Sequence, residues 1–368
     1  MLLSSGWPAW LWMATVLLGL LASVTMAEDI NTSDTFKVLT ASDNMGGSCD
    51  SKKTAVDAMV PEVQQLIKAA TDSIDTILID PSGLGSWSPS KRSERLRLLL
   101  LARRFFGTKF NAVNLKVDSS TKGTLNTVKG RFDQITTQIN AKDKKWRFGC
   151  DDSWLQYTTE LKTEYASLPI GTPIKEVPGL GSGVYEWAFF DIGGPQLRPS
   201  KSQDDFDTQQ TWYMSQARGW LSKGPCSGIQ KNTPKPVYPD AQTLKEQLII
   251  YFCPRVWDDI GTRLKDDVRN YKSATIATDG TEYLDSYMTP GATLLHEMTH
   301  QVFDSEDGPP AGLGYFFVNV AKGKDSPDQA TMNADSYPYF AVAAYLSQVE
   351  WHSGVARKIG VREKDVHT

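Results

Sequence analysis

Histidine and cysteine are the scarcest chemistry-bearing residues in this chain, four of each among 368. The cysteines, at positions 49, 150, 226 and 253, include no CxxC spacing, which argues against a cysteine zinc site or a thioredoxin-type redox motif. A basic excess is also lacking. The formal net charge of −4 leaves nothing to neutralise a phosphate backbone, so nucleic acid is not an expected partner. After the first 27 residues no stretch is long and apolar enough to cross a bilayer. A phosphate loop is missing too: Gly179, Gly181 and Gly183 cluster, but Val184 breaks the GxGxxG pattern and no P-loop lysine follows. No internal repeat is visible.

What the N-terminus does have is apolar. From Trp7 to Ala27 there is no charged side chain, and Thr25 and Ala27 fit the small-residue pattern ahead of a cleavage site. Residues 1–27 read as a signal peptide, with an uncleaved membrane anchor as the rival reading. Cleavage predicts a secreted protein with no stable membrane insertion. In that oxidising context Cys49, Cys150, Cys226 and Cys253 should form two disulfides, with three connectivities open. Asn31-Thr32-Ser33 is a glycosylation sequon.

Residues 28–48 are polar and read as an exposed lead-in. Helical periodicity then runs from Lys53 to Ile79, where Pro61 should kink the helix or mark a second start. Asp80 to Ser90 reads as a loop, Ser90 as the cap of a helix ending at Gly107, and Lys122 to Ile139 as a third helix. Lys142 to Arg147 is a basic run suited to a solvated turn, and Trp146 to Cys150 reads as a strand. A mixed segment follows over about 151–245, with Val184 to Phe190 as its best strand. Leu248 to Cys253 reads as a buried strand. Ser326-Pro327-Asp328 is a helix-start signature, a final helix is expected around Tyr339 to Trp351, and 353–368 is a polar tail.

The stretch with chemistry is His296-Glu297-Met298-Thr299-His300. Thr289 can cap a helix that Pro290 opens, and Leu294, Leu295, Met298 and Val302 give it an apolar stripe. Histidines four apart on a helix put two imidazoles on one face, able to hold one Zn²⁺, with Glu297 placed as general base toward a water on the ion. A catalytic zinc of this kind takes a third protein ligand and leaves a fourth position open. The metzincin pattern needs Gly at 303 and His at 306, where this chain has Phe303 and Glu306. Only Glu350 and Glu363 lie beyond Glu306, neither in a gluzincin context. Aspartate remains, and Asp304, Asp307 and Asp335 all follow the motif.

Several stretches, in order, resemble the aspzincins, the family of deuterolysin and the peptidyl-lysine metalloendopeptidases. They are Gly47-Ser48-Cys49, Phe148-Gly149-Cys150-Asp151, Ile249 to Cys253 with Trp257, Leu295 to His300, and Met332-Asn333-Ala334-Asp335-Ser336-Tyr337-Pro338-Tyr339-Phe340. The resemblance covers roughly half of the mature chain, leaving most of 151–245 outside it. It implies a zincin-like α+β fold: a mostly helical catalytic domain over 49–352 with a small β-sheet and a long inserted mixed segment. It also implies one catalytic Zn²⁺, a protein or peptide substrate, and the disulfides Cys49–Cys150 and Cys226–Cys253.

The chain departs from the family where the third ligand should be. The family's GTxxDxxYG-like motif is replaced by Asp304-Ser305-Glu306-Asp307-Gly308-Pro309-Pro310-Ala311-Gly312-Leu313-Gly314-Tyr315, and the family's Asp position falls near Pro310 or Ala311. Asp307 is taken as the substitute ligand, with Asp335 as second choice, and Tyr315 as the residue replacing the family tyrosine that steadies the oxyanion. The resemblance further places Asp335 in a pocket for a substrate lysine. Pro338 stands where the family's second acid would be, which argues against strict lysine specificity. The expectation is a secreted zinc metalloendopeptidase, and the alternative is a secreted zinc-binding antigen or scavenger with little or no hydrolysis.

Overall fold

The structure is a computed structural model that describes residues 30–44, 46–162, 167–177, 188–191, 213–215, 226, 240–245, 248–307, 317–321 and 325–359. The apolar stretch read as a signal peptide, the glycine cluster at 179–183 and residues 360–368 lie outside these. Among the described residues no helix is long and apolar enough to cross a membrane.

The expected lead-in is instead part of the fold. α1 (Thr32–Thr35) is followed by β1 (Lys37–Val38), with Phe36 and Leu39 buried on either side of that strand. Composition misled here because two apolar side chains suffice to anchor so short a segment. Thr32 also explains why Pro61 neither breaks nor restarts α2 (Lys53–Leu78). Proline disturbs the turn before it. There the Thr32 hydroxyl is inserted into the helical ladder, donating to Val56 O and accepting from Val60 N–H at 3.2 Å. The helix stays continuous, with Val56, Met59, Val63, Leu66, Ile67 and Ala70 buried as their spacing requires.

α3 (Pro89–Phe106) is capped by Ser88, not Ser90. The Ser88 hydroxyl accepts from Lys91 N–H, and Pro89 takes the first helical position, where a missing N–H is harmless. Gly107 ends the helix at φ 64°. Arg95 of α3, almost fully buried, donates to Thr76 O, Ile77 O and Ile79 O, so its cation satisfies the last carbonyls of α2. A short hairpin, β2 (Phe110–Asn111) with β3 (Lys116–Val117), leads to α4 (Ser119–Ala141). Then comes β4 (Arg147–Gly149). Arg147, at the overlap of the expected solvated turn and the expected strand, belongs to the strand and is buried with its guanidinium over the Trp154 ring.

Within 151–245, β5 (Leu155–Thr158), β6 (Ala188–Asp191) and β7 (Tyr213–Ser215) form a three-stranded antiparallel sheet. β6 contains the described end of the strand expected over 184–190. β8 (Ala241–Leu244) and β9 (Ile249–Phe252) complete the main sheet, whose order is β1-β4-β9-β8. Its first three strands are parallel and β8 runs antiparallel to β9. Cys49–Cys150 and Cys226–Cys253 are both bonded, the pairing the resemblance implied.

After α5 (Pro254–Asp259) comes α6 (Pro290–Phe303), the helix of the His-Glu-His motif, packed against β8, α2 and α4. Short α7 (Phe317–Val320) and α8 (Pro327–Met332) precede α9 (Ser336–Tyr345). α9 starts before and ends well short of the expected Tyr339–Trp351. Pro338 falls in its first turn, and Trp351 is buried outside any helix, its indole N–H donating to Leu346 O. The expected polar tail also begins too early: Val355 bridges Tyr283, Arg357 bridges Glu350, and Ala356 is fully buried. Helices and small sheets together make an α+β fold, as the sequence suggested.

One buried acid positions α6. Glu62 of α2 accepts hydrogen bonds from Val268 N–H and from the hydroxyl of Thr289, the residue that caps α6. Its carboxylate lies so close to Gly291 that a methyl group there would overlap it. Burial, with Asp267 nearby, pushes the Glu62 carboxyl from its ordinary 4.5 up to about 8. Between those values the folded chain keeps a proton that the unfolded chain has lost. Stability therefore declines as pH rises from about 5 to about 8 and levels off above. The span is on the order of 5 kcal/mol at most. Thermal midpoints across pH 5–9 should show that decline in the wild type and a flatter profile in Glu62→Gln; identical slopes would remove Glu62 as its source.

Candidate functional site

α6 begins as its sequence requires. The Thr289 hydroxyl accepts from Ala292 N–H, Pro290 occupies the first turn, and the apolar stripe of Leu294, Leu295 and Met298 is buried. The helical repeat then brings His296 and His300 to one face, ring centroids 4.9 Å apart. Asp304 ends the helix in the left-handed conformation, and that reversal carries the chain back across the two rings.

Asp307 arrives on that return. Its Oδ1 lies 3.0 Å from His296 Nε2 and 2.9 Å from His300 Nε2, while the two Nε2 atoms are 3.1 Å apart. Three donor atoms thus form a nearly equilateral triangle. A tetrahedral zinc with bonds of about 2.05 Å separates its ligand atoms by about 3.3 Å, so a few tenths of an ångström of opening admits the ion. Two imidazole nitrogens and one carboxylate oxygen are the donor chemistry zinc favours when a fourth position stays open. Among the described residues this is the one cluster of three metal-binding groups. The His296 and Glu297 side chains are almost fully buried, but Asp307 is 41% exposed, so the triangle opens to solvent on the loop side.

The far ring nitrogens are held too. His296 Nδ1 lies 2.7 Å from Asp335 Oδ1, and His300 Nδ1 lies 2.8 Å from Ser305 O. A proton shared on each Nδ1 leaves each Nε2 lone pair facing the triangle. Burial alone would lower the His296 pKa, but Asp335 and Asp307 carry it well above its ordinary value. For His300, burial opposes and the bond to Asp307 prevails, again upward. Asp307 is the counterpart: burial would raise it, yet both imidazoles hold it far below the usual carboxylate range.

Glu297 sits beside the triangle, its Oε1 3.9 Å from His296 Nε2. Burial raises its carboxyl, the direction that strengthens a base. Its Oε2 lies 2.7 Å from the Thr243 hydroxyl of β8, which is also 2.9 Å from Glu297 main-chain O.

The structure thus brings His296, Glu297, His300 and Asp307 together. Asp304 is not among them: it is exposed and paired with Lys245. Asp335 lies behind His296 rather than in the triangle, and caps α9 by position. Tyr315, like Pro310 and Ala311, lies outside the described residues. Sequence reasoning missed Thr243 and Ser305: Thr243 reaches the helix from a strand 54 residues away, and Ser305, though close in sequence, acts through its main-chain carbonyl, which no residue type marks.

No family model matches the sequence, and no curated protein does. Among solved structures, a zinc peptidase from Grifola frondosa is matched at 13% identity, covering 76% of this chain and 94% of that one, with a TM-score of 0.27. A likeness that distant carries no argument about fold or activity.

Proposed function

We propose that this chain is a secreted zinc-dependent endopeptidase of the aspzincin type, with His296 Nε2, His300 Nε2 and Asp307 Oδ1 holding the ion. The observation that carries this reading is the convergence of those three atoms to within 3.1 Å of one another, with an uncoordinated carboxylate beside them.

When bound, zinc supplies Lewis acidity, bringing the pKa of water toward neutrality and polarising a carbonyl oxygen. Glu297 takes one proton from the attacking water, the water oxygen bonds to the scissile carbonyl carbon, and Glu297 returns the proton to the amine as the C–N bond breaks. Asp335 and Ser305 keep the two imidazoles in the ligating tautomer. Asp335 fits that positioning role better than a pocket for a substrate side chain, because its Oδ1 is already engaged. The two disulfides suit an oxidising compartment and agree with reading residues 1–27 as a signal peptide.

The test is zinc stoichiometry together with casein digestion by the purified chain, with and without a chelator. One zinc per chain and cleavage that the chelator abolishes are expected. Stoichiometric zinc without cleavage would favour the zinc-binding antigen or scavenger instead, and chelator-insensitive cleavage would move the chemistry elsewhere.

A further inference from the structure

Glu297 reaches the triangle from a helix, but the atom that decides which of its oxygens is free belongs to the sheet. Thr243 lies in β8, the strand at the end of the main sheet order and the one packed against α6. Strand alternation separates it from its neighbours. Gln242 accepts from the Tyr251 hydroxyl and Leu244 is buried in the core around Trp154, while Thr243 is turned to α6. Its hydroxyl carries one proton and lies within reach of two acceptors, Glu297 Oε2 at 2.7 Å and Glu297 O at 2.9 Å. The main-chain oxygen is fixed by the helix. With one proton to give, the hydroxyl donates to the carboxylate, the charged acceptor making the stronger bond of the two.

We infer that Thr243 is a positioning residue for the general base: it holds Glu297 Oε2 so that Oε1, the oxygen 3.9 Å from His296 Nε2, is the one presented to the reacting water. The inference rests on the endopeptidase reading and adds to it the source of the base's orientation. Without the hydroxyl, the Glu297 carboxylate can rotate about its last torsion, which is broad and weakly restrained. A displacement of about 1 Å at a reacting group can cost roughly 100-fold in rate.

Thr243→Val keeps the shape and removes the hydroxyl; Thr243→Ser keeps the hydroxyl. Thr243→Val should lower kcat by about 10- to 100-fold with KM and zinc stoichiometry unchanged, and Thr243→Ser should stay within about threefold of wild type. A second readout needs neither metal nor substrate. In the zinc-free protein the Tm shifts of Thr243→Val and Glu297→Ala should fail to add, since they remove two sides of one contact. The inference is overturned by a wild-type kcat in Thr243→Val, by equal losses in the valine and serine variants, by loss of zinc in Thr243→Val, or by additive Tm shifts. Wild type and Glu297→Gln are assayed alongside. If wild-type cleavage is absent or insensitive to chelator, it is the endopeptidase reading that fails. If that cleavage is chelator-sensitive and Glu297→Gln abolishes it, a negative result at Thr243 counts against Thr243 alone.

Discussion

Asp307→Ala is expected to cost the chain its metal. The change removes the one donor of the triangle that does not come from α6, and leaves two imidazoles whose Nε2 atoms are 3.1 Å apart with the Glu297 carboxylate, 3.9 Å from His296 Nε2, as the acid beside them. Altering a group that merely orients a zinc ligand weakens affinity by about 10- to 100-fold; deleting a ligand outright should exceed that, on the order of 1,000-fold or more. Asp335→Asn provides the contrast. Asp335 Oδ1 touches His296 from the Nδ1 side, so the asparagine variant should keep its zinc at an affinity reduced only within the 10- to 100-fold range. Chelator-competition titrations of both variants decide between the two aspartates. A zinc affinity unchanged in Asp307→Ala and abolished in Asp335→Asn would reverse the assignment.

Glu297→Gln should lower kcat by about 100- to 10,000-fold, the range a general base supplies, while zinc stays bound at wild-type stoichiometry. Glutamine matches the shape and can still accept from the Thr243 hydroxyl, but it cannot take a proton from water. The separation of the two readouts is what tests the role, because Glu297 lies beside the triangle of donor atoms and is not one of its corners. Loss of zinc together with activity would make Glu297 part of the cage, and retained activity would leave the reaction with a different base.

The sequence was most legible where its signals are local. The start of α6 at Thr289 and Pro290, the burial of Leu294, Leu295 and Met298, and the shared face of His296 and His300 all follow from capping and a 3.6-residue repeat. It was least legible where a distant segment intervened. Pro61 reads as a kink or a second start in α2 until Thr32, from a segment that looked exposed, is seen inserted at the disturbed turn. α9 was drawn too long because Val349 and Trp351 are buried and apolar, but their burial comes from packing after the helix has ended. The 353–359 segment looked like a tail for the opposite reason: its buried residues, Gly354 and Ala356, are few and are held through main-chain bonds to Leu284 and Glu282, far away in sequence.

Five residues, 296 to 300, were enough to specify a pair of imidazoles and a carboxylate beside them, because a helix fixes the directions of its own side chains. The third corner of the triangle was not so specified. Asp307 was preferred and Asp335 placed second only through the resemblance, and it is the chain reversal at Asp304 that brings Asp307 Oδ1 over both rings while leaving Asp304 with Lys245 and Asp335 behind His296. Likewise Thr243 reaches Glu297 across 54 residues because β8 packs on α6. Contacts of that kind are set by how strands and helices stack in space, and sequence separation carries no record of it.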